Sequence, residues 1–312
     1  MQKKVLLTGS SGFLGSQMCT DLLQRNFNIT AVDIKKNNNE QKEVSYITKD
    51  VGEYLETQEN LDNFDIVIHA ASILPYKNSE NEIWEKNFLV TKKLVNKLSQ
   101  SDDIFFVYVS SSAVYGKPIK VPVDKDTPLN PLDTYGKSKV KSENYIKNML
   151  KEKNFSIIRP RTILGINRSG IFHIFFNLIK YRIPLPVPNK GNQKIQFVDV
   201  TDLSRLAIYI AEEKAHGIWP AAGPDTNSLK SLLHKLSSIL ERKILVLNIN
   251  TFIFKLIGKV LILLKLTNFT SWHFGAFPHD FYFKDSWVPE GFQYNLTSDE
   301  AFENTARNFF DT

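Results

Sequence analysis

The sequence predicts an α/β protein, a doubly wound parallel sheet with a smaller lobe formed mainly by the C-terminal part. Three observations predict it. Short apolar runs alternate with helix-period segments through the first half of the chain. Several of the runs, "DIFFVYVSSS" above all, are nearly continuous in apolar residues, as strands covered on both faces are. A turn with three glycines joins the first run to the first helix.

Each element follows from local pattern. "KVLLTG" reads as the first strand and Gly12 to Arg25 as the first helix. "NITAVDI", "EVSYITKD" and "FDIVIHAAS" read as the next three strands, with "KKNNNEQKE" a polar loop between the first two of them. From Glu82 to Gln100, Ile83, Trp84, Phe88, Leu94, Val95 and Leu98 recur at helical spacing. "DIFFVYVSSS" is a fifth strand, Thr134 to Leu150 a helix, and "FSIIRP" a sixth strand. Past Pro160 the rhythm changes and prolines gather at Pro184, Pro186 and Pro188. We read residues 1–160 as the core, rejoined by about 195–220 through "QFVDVTDLSRLAIYIAEE". Residues 161–194 and 221–312 are then the second lobe.

The totals bound the function. At 312 residues and 42% hydrophobic content the chain can bury a large core. A net charge of +6, spread rather than blocked, speaks against nucleic-acid binding and suits an acidic or phosphate-bearing ligand. The single cysteine, Cys19, excludes an internal disulfide framework and fits a reducing compartment, as a small buried group in the first helix. A strand begins at Lys3–Lys4 with no signal peptide before it, so the expected location is cytoplasmic. His173, His216, His234, His273 and His279 form no metal-ligand spacing, and no metal is expected.

Gly9, Gly12 and Gly15 sit between a strand and a helix, the place for a dinucleotide turn. Gly9 permits the turn, Gly12 lets backbone approach a pyrophosphate, and Gly15 lets helix pack on strand. This is the mark of a Rossmann-like core. Asp33 ends the second strand roughly 20 residues on, where a carboxylate accepts from an adenosine ribose and repels a 2′-phosphate. NAD is therefore the expected cofactor, with Lys35 and Lys36 tempering the preference over NADP.

"YGKSK" holds the only Tyr-x-x-x-Lys of the chain, Tyr135 and Lys139, at the start of a helix where residues four apart share a face. An ammonium beside a phenol favours the phenolate, so Tyr135 can exchange a proton with a substrate hydroxyl or carbonyl. "VSSSAVYG" ends the fifth strand at the sheet edge where ligands gather, and a serine there can donate to the same oxygen.

With these residues in view, the chain resembles the extended short-chain dehydrogenases/reductases, specifically the NAD-dependent epimerase/dehydratase group. The resemblance runs through "TGSSGFLG", "VDI", "HAAS", "EKNFLVTKKLV", "SSSAVYG", "YGKSK", "IIRPRTILG" and "QFVDVTDLS". It implies that Ser111 is the catalytic serine, that Tyr135 and Lys139 are the proton-transfer pair, and that Asn87 supports the active-site helix and its water network. It further implies cofactor contacts from Ser11, Phe13 and Leu14 in the glycine turn and from Asp50 and Val51 near the adenine. Ala70, Ala71 and Ser72 would wall the cofactor and Pro160 would touch it. Ser111, Ser112, Arg161 and Gln196 would meet the substrate.

The implied chemistry is reversible hydride transfer at a carbinol carbon, with Tyr135 as acid/base, Ser111 holding the oxygen, and Lys139 holding the ribose and tuning Tyr135. Family dehydratases carry Asp-Glu where this chain has Ser112 and Ala113, which speaks against a 4,6-dehydratase. Sugar-nucleotide epimerases commonly carry an asparagine where this chain has Thr162, and Arg161 is the candidate replacement for its diphosphate contact. The expectation is a nucleotide-sugar epimerase or related dehydrogenase acting as a homodimer through the helices after Asn81 and Thr134. A 3β-hydroxysteroid dehydrogenase-like or other carbonyl oxidoreductase is the alternative. A non-catalytic NAD-binding module is the third reading.

"NTFIFKLIGKVLILLKL", Asn250 to Leu266, is too short and too interrupted by lysines to span a membrane. It can pack over the substrate cleft, lie on a membrane surface as a peripheral contact, or form an oligomer interface. The aromatic "SWHFGAFPHDFYF", with His273 and His279, is a candidate lining of the cleft.

Overall fold

The computed structural model describes residues 2–37, 40–75, 78–150, 154–166, 171–264, 271–284 and 287–311. Strands β1 (Lys4–Thr8), β2 (Asn28–Asp33), β3 (Ser45–Thr48), β4 (Ile66–His69), β5 (Phe105–Val109) and β6 (Phe155–Pro160) are joined by a seventh, Gly217–Ala221. Their spatial order is Gly217–Ala221, β6, β5, β4, β1, β2, β3, and every neighbouring pair is parallel. The chain walks outward from β1 through β2 to β3, then returns to β4 on the other side of β1. That reversal opens a crevice above the carboxyl ends of β1 and β4, the place where open α/β sheets bind ligands.

The continuous apolar runs have the expected cause. β4 and β5 are buried at every residue, because helices cover both faces. Successive β1 residues serve opposite cores. Val5 and Leu7 pack with Leu14, Met18, Leu22 and the helix Val200–Glu212, whereas Leu6 packs with Leu55, Leu94, Val95, Phe106 and Ile146. Each such side chain contributes roughly 1.5–3 kcal/mol. Helices α1 (Phe13–Gln24), α3 (Glu80–Ile83), α4 (Val90–Leu98) and α5 (Thr134–Met149) overlap the helical segments of the pattern, and α2 (Val51–Glu56) is a short helix that the pattern did not place.

Three features differ from the expectation. The helix expected over 82–100 is interrupted by a π-helical segment, Trp84–Leu89, which carries Asn87. Phe197–Asp199 does not enter the main sheet; it pairs in parallel with Thr162–Leu164, while its following helix does return to the core. The sheet instead gains Gly217–Ala221 at its edge. There Pro220 costs no ladder bond, because it has a neighbour on one side only. The C-terminal lobe has its own core of Phe172, Phe176, Leu185, Phe197, Leu232 and Phe302 among others.

Candidate active site

The glycine turn is built by exclusion. Gly9 has φ +78°, and a Cβ on it would fall 2.5 Å from the Ala71 nitrogen. A Cβ on Gly15 would fall 2.0 Å from the Gly9 carbonyl oxygen, so any side chain there pushes α1 off β1. Gly12 caps α1 without a side chain. A Cβ on it would meet only the Gly9 carbonyl oxygen at 3.2 Å, with nothing else within 4 Å. The free side of Gly12 and the exposed start of α1 leave backbone N–H groups and the positive helix end open to an anion.

Asp33 lies beside this turn. Its carboxylate accepts from the Ser11 amide at 3.0 Å and from the Lys35 amide at 2.8 Å, and retains lone pairs for further donors. Ser11 Oγ donates to the Lys35 carbonyl at 2.7 Å, tying the loop after β2 to the turn. Lys35 and Lys36 are exposed. A cradle closed by glycines behind, open in front, and flanked by a carboxylate fits an NAD-type dinucleotide. Phe13 is half-buried and Leu14 buried, the latter in the core beneath the turn. Ala70 and Ala71 back directly onto Gly9.

Asp50 differs in emphasis from the expectation. Its carboxylate caps α2 by accepting from Gly52 at 2.8 Å and Glu53 at 3.3 Å, and it pairs with Lys86 at 3.2 Å. That leaves chiefly its backbone for the expected adenine contact, and Val51 beside it is buried. Asn87 is 1% exposed and clamps the loop after β4: it accepts from the Ile73 amide at 2.8 Å and from Ser72 Oγ at 3.2 Å, and donates to the Ile73 carbonyl at 2.9 Å. Its own carbonyl accepts from Ser142 of α5 at 3.2 Å, so one residue joins this loop to the helix carrying Tyr135.

Tyr135 occupies the first turn of α5, whose start is capped by Asp133 accepting from Gly136 at 2.8 Å. Lys139 lies one turn on and is 1% exposed. Its Nζ donates to the Val109 carbonyl at 3.0 Å and stands 5.8 Å from the Tyr135 ring centroid and 4.9 Å from that of Tyr108. Burial pulls the Lys139 ammonium down to about 7, against an opposing push from Glu143. Ser111 caps a short 3-10 turn, Ser112–Tyr115, with Oγ accepting from Ala113 at 3.1 Å; its own hydroxyl hydrogen remains for another acceptor. Ser111 follows the end of β5 by two residues and Pro160 ends β6, both at the carboxyl edge of the sheet.

The two arginines two residues apart have opposite environments. Arg159 is fully committed: it meets Glu143 at 2.5 Å and 3.0 Å and Tyr115 Oη at 2.7 Å, and Glu143 also accepts from Ser110 Oγ at 2.6 Å. Arg161 is buried; among the described residues its one hydrogen bond is Nη1 to Ser112 Oγ at 3.2 Å, and its Nε has none. Its guanidinium lies 3.7 Å from the Phe281 ring centroid; no carboxylate of the described residues pairs with it, and burial pulls its ionisation down to about 9. Gln196 departs from the expectation. It is 3% exposed, donates to the carbonyls of Gly223 and Asp225, and accepts from Phe283 at 2.8 Å, so its amide is spent on backbone rather than left for a substrate.

The sequence reading does not anticipate the Glu143–Arg159–Tyr115 network under the site. The signal was present, since Tyr135, Lys139 and Glu143 recur every four residues on one face of α5. Among the described residues, no group of three His, Cys, Asp or Glu could hold a metal ion.

Strand, glycine turn, helix, ribose-side carboxylate and a Tyr–Lys pair at one sheet edge define a dinucleotide-dependent enzyme of the short-chain dehydrogenase/reductase type. The chain belongs to the NAD dependent epimerase/dehydratase family, whose model matches residues 5–220. It is 28% identical over 233 residues to the uncharacterized protein y4nG of Sinorhizobium fredii, covering 74% of this chain and 59% of that protein. It is 29% identical over 239 residues to a putative UDP-glucose 4-epimerase of Methanocaldococcus jannaschii, covering 72% and 78%. In structure it is similar to the UDP-N-acetylglucosamine 4-epimerase of Methanobrevibacter ruminantium, solved with UDP-N-acetylmuramic acid. The TM-score is 0.78 at 20% identity, over 99% of each chain. NAD is the cofactor of this family, and the glycine cradle and Asp33 fit it.

Proposed function

We propose that this protein is a nucleotide-sugar epimerase, with Tyr135 as the acid/base at a sugar hydroxyl. The observation that carries the reading is the Tyr135–Lys139 pair on α5, with Lys139 Nζ fixed by the Val109 carbonyl between the serine-rich end of β5 and the helix. NAD, when bound, supplies the acceptor and donor of the hydride. Tyr135 takes the proton from the substrate hydroxyl and returns it after the sugar has turned. Ser111 donates its free hydroxyl hydrogen to the same oxygen, which disfavours drift of the reacting carbon. Lys139, held rigidly and buried, presents its charge to the phenol from one fixed side. Asn87 keeps the loop after β4 and α5 in register, so the cofactor wall and the acid/base move together.

Arg161 serves as the anion contact for the substrate, because a buried guanidinium with an unspent Nε gains most from an entering phosphate or carboxylate. Ser112 beside it orients the fork. The relatives named as UDP-sugar 4-epimerases support a UDP-sugar as the substrate class. The buried unpaired Cys19 fits a cytoplasmic site of action, and a homodimer through α4 and α5 remains the expected assembly.

Product chromatography with purified protein and a panel of UDP-sugars tests this. An epimerase interconverts 4-epimers without net reduction of NAD. Stoichiometric NADH with one oxidised product would instead establish a dehydrogenase.

A further inference from the structure

The C-terminal lobe carries a face that none of this chemistry uses. The helix Thr251–Leu263, capped by Asn250 accepting from Phe252, buries only Phe254 and Gly258 along its length. Phe254 packs tilted against Phe274, ring centroids 5.4 Å apart, and stacks on Phe277 at 6.0 Å, and a Cβ on Gly258 would collide with the Phe274 ring. The opposite side is apolar and open. Phe252 is 74% exposed, Leu256 51%, Val260 47% and Leu263 81%, at steps of four, four and three residues, with Ile253 and Ile257 alongside. The strand Val246–Ile249 feeds this helix and extends the patch through exposed Leu245, Val246 and Leu247. Its parallel partner, Leu185–Pro188, is preceded by exposed Tyr181 and Ile183. A contiguous patch of this kind marks an interaction surface rather than scatter.

Charge says what covers it. The two segments that build the face, 171–198 and 242–279, contain no Asp or Glu, while they supply Lys180, Arg182, Lys190, Lys194, Arg242, Lys243, Lys255 and Lys259. Beside the exposed strand lies a cleft of about 170 Å³ lined by Lys190, Lys230, Lys243 and His234, with Val187 and Val246. Among the described residues, none of those three lysines is paired with a carboxylate. A second copy of the chain docked on this face would set mostly cation against cation, since Glu241 and Asp280, just beyond the ends of the second segment, are the acids nearest to it in sequence. Among the described residues, no helix is long and apolar enough to cross a bilayer.

We propose that this face docks on an anionic membrane surface. The apolar stripe of Thr251–Leu263 enters the interface, and the lysine-lined cleft takes a lipid headgroup phosphate. Apolar side chains edged by lysines and lacking carboxylates are what an interfacial helix needs. A Cβ on Gly275 of the adjoining helix would lie 3.7 Å from Leu132, three residues before Tyr135, so the docked face borders the loop that enters the acid/base helix.

Co-sedimentation of the full chain with sucrose-loaded vesicles tests this, using phosphatidylcholine alone and phosphatidylcholine with one-third phosphatidylglycerol. The wild type should pellet with the anionic vesicles and be released by salt, since each lysine at the surface adds roughly fivefold to the partition. A Phe252→Ser/Leu256→Ser/Val260→Ser variant, altered only at exposed positions, should lose at least about tenfold of that binding. A Lys190→Glu/Lys243→Glu variant should lose the preference for anionic lipid. Both should keep the wild-type melting temperature and its shift with NAD. Wild-type protein left in the supernatant at low salt would overturn the proposal. So would binding undiminished in both variants, or a dimer that the triple-serine variant alone converts to monomer without any vesicle binding.

Discussion

Arg161→Met is the sharpest perturbation of the site. Arg161 is 6% exposed, its Nε is unpartnered, and among the described residues its guanidinium meets one hydrogen-bond partner, Ser112, and the Phe281 ring. Burial lowers its ionisation from the ordinary 12.5 to about 9, which corresponds to a cost of about 5 kcal/mol for keeping the charge inside the apo protein. Methionine fills the volume of the stem and carries no charge. It forfeits the cation–ring contact, worth about 2 kcal/mol when desolvated, and leaves the Ser112 hydroxyl short of a partner, at about 1 kcal/mol. The balance is an apo protein about 2 kcal/mol more stable than wild type. Guanidinium unfolding followed by circular dichroism at pH 7.5 measures this. Calorimetry with a UDP-sugar on the same variant should show affinity reduced at least about tenfold, the loss of one charge-assisted contact. A folded Arg161→Met protein less stable than wild type by 1 kcal/mol or more would refute the reasoning, because it would mean the charge is already compensated without substrate.

Four further outcomes follow. Tyr135→Phe should reduce kcat by about 10³-fold while NAD binding by thermal shift is retained, as expected for a lost acid/base. Gly15→Ala should abolish NAD binding and lower the melting temperature, since the new methyl would sit 2.0 Å from the Gly9 carbonyl oxygen. Glu143→Gln should destabilise by about 3–5 kcal/mol in urea unfolding, because it strips the carboxylate from buried Arg159. For Lys139, a folded value of about 7 lies below the ordinary 10.5, so in that window the unfolded chain holds a proton the folded chain does not. Stability should therefore rise with pH between 7 and 8.5 by about 1.4 kcal/mol per pH unit, and Lys139→Met should remove that slope.

The sequence by itself determined the parts governed by local rules. Apolar runs and helical periods pointed to six of the seven sheet strands, since strands covered on both faces, β5 above all, are dominated by apolar residues. The glycine spacing, Asp33 and the Tyr135–Lys139 step were legible because each places its group by short-range geometry alone. What only the tertiary structure decided depends on partners far away in sequence. Gly217–Ala221 was hidden by its proline, which an edge position tolerates. Gln196 looked like a substrate contact until Gly223, Asp225 and Phe283 were seen to exhaust its amide. Arg159 and Arg161, alike on paper, were separated by one carboxylate, Glu143, reaching the first from α5 and not the second. Charge alternation along a chain cannot say which cation is paired, because pairing is a property of the space between elements, and that space exists only once the sheet has closed around its helices.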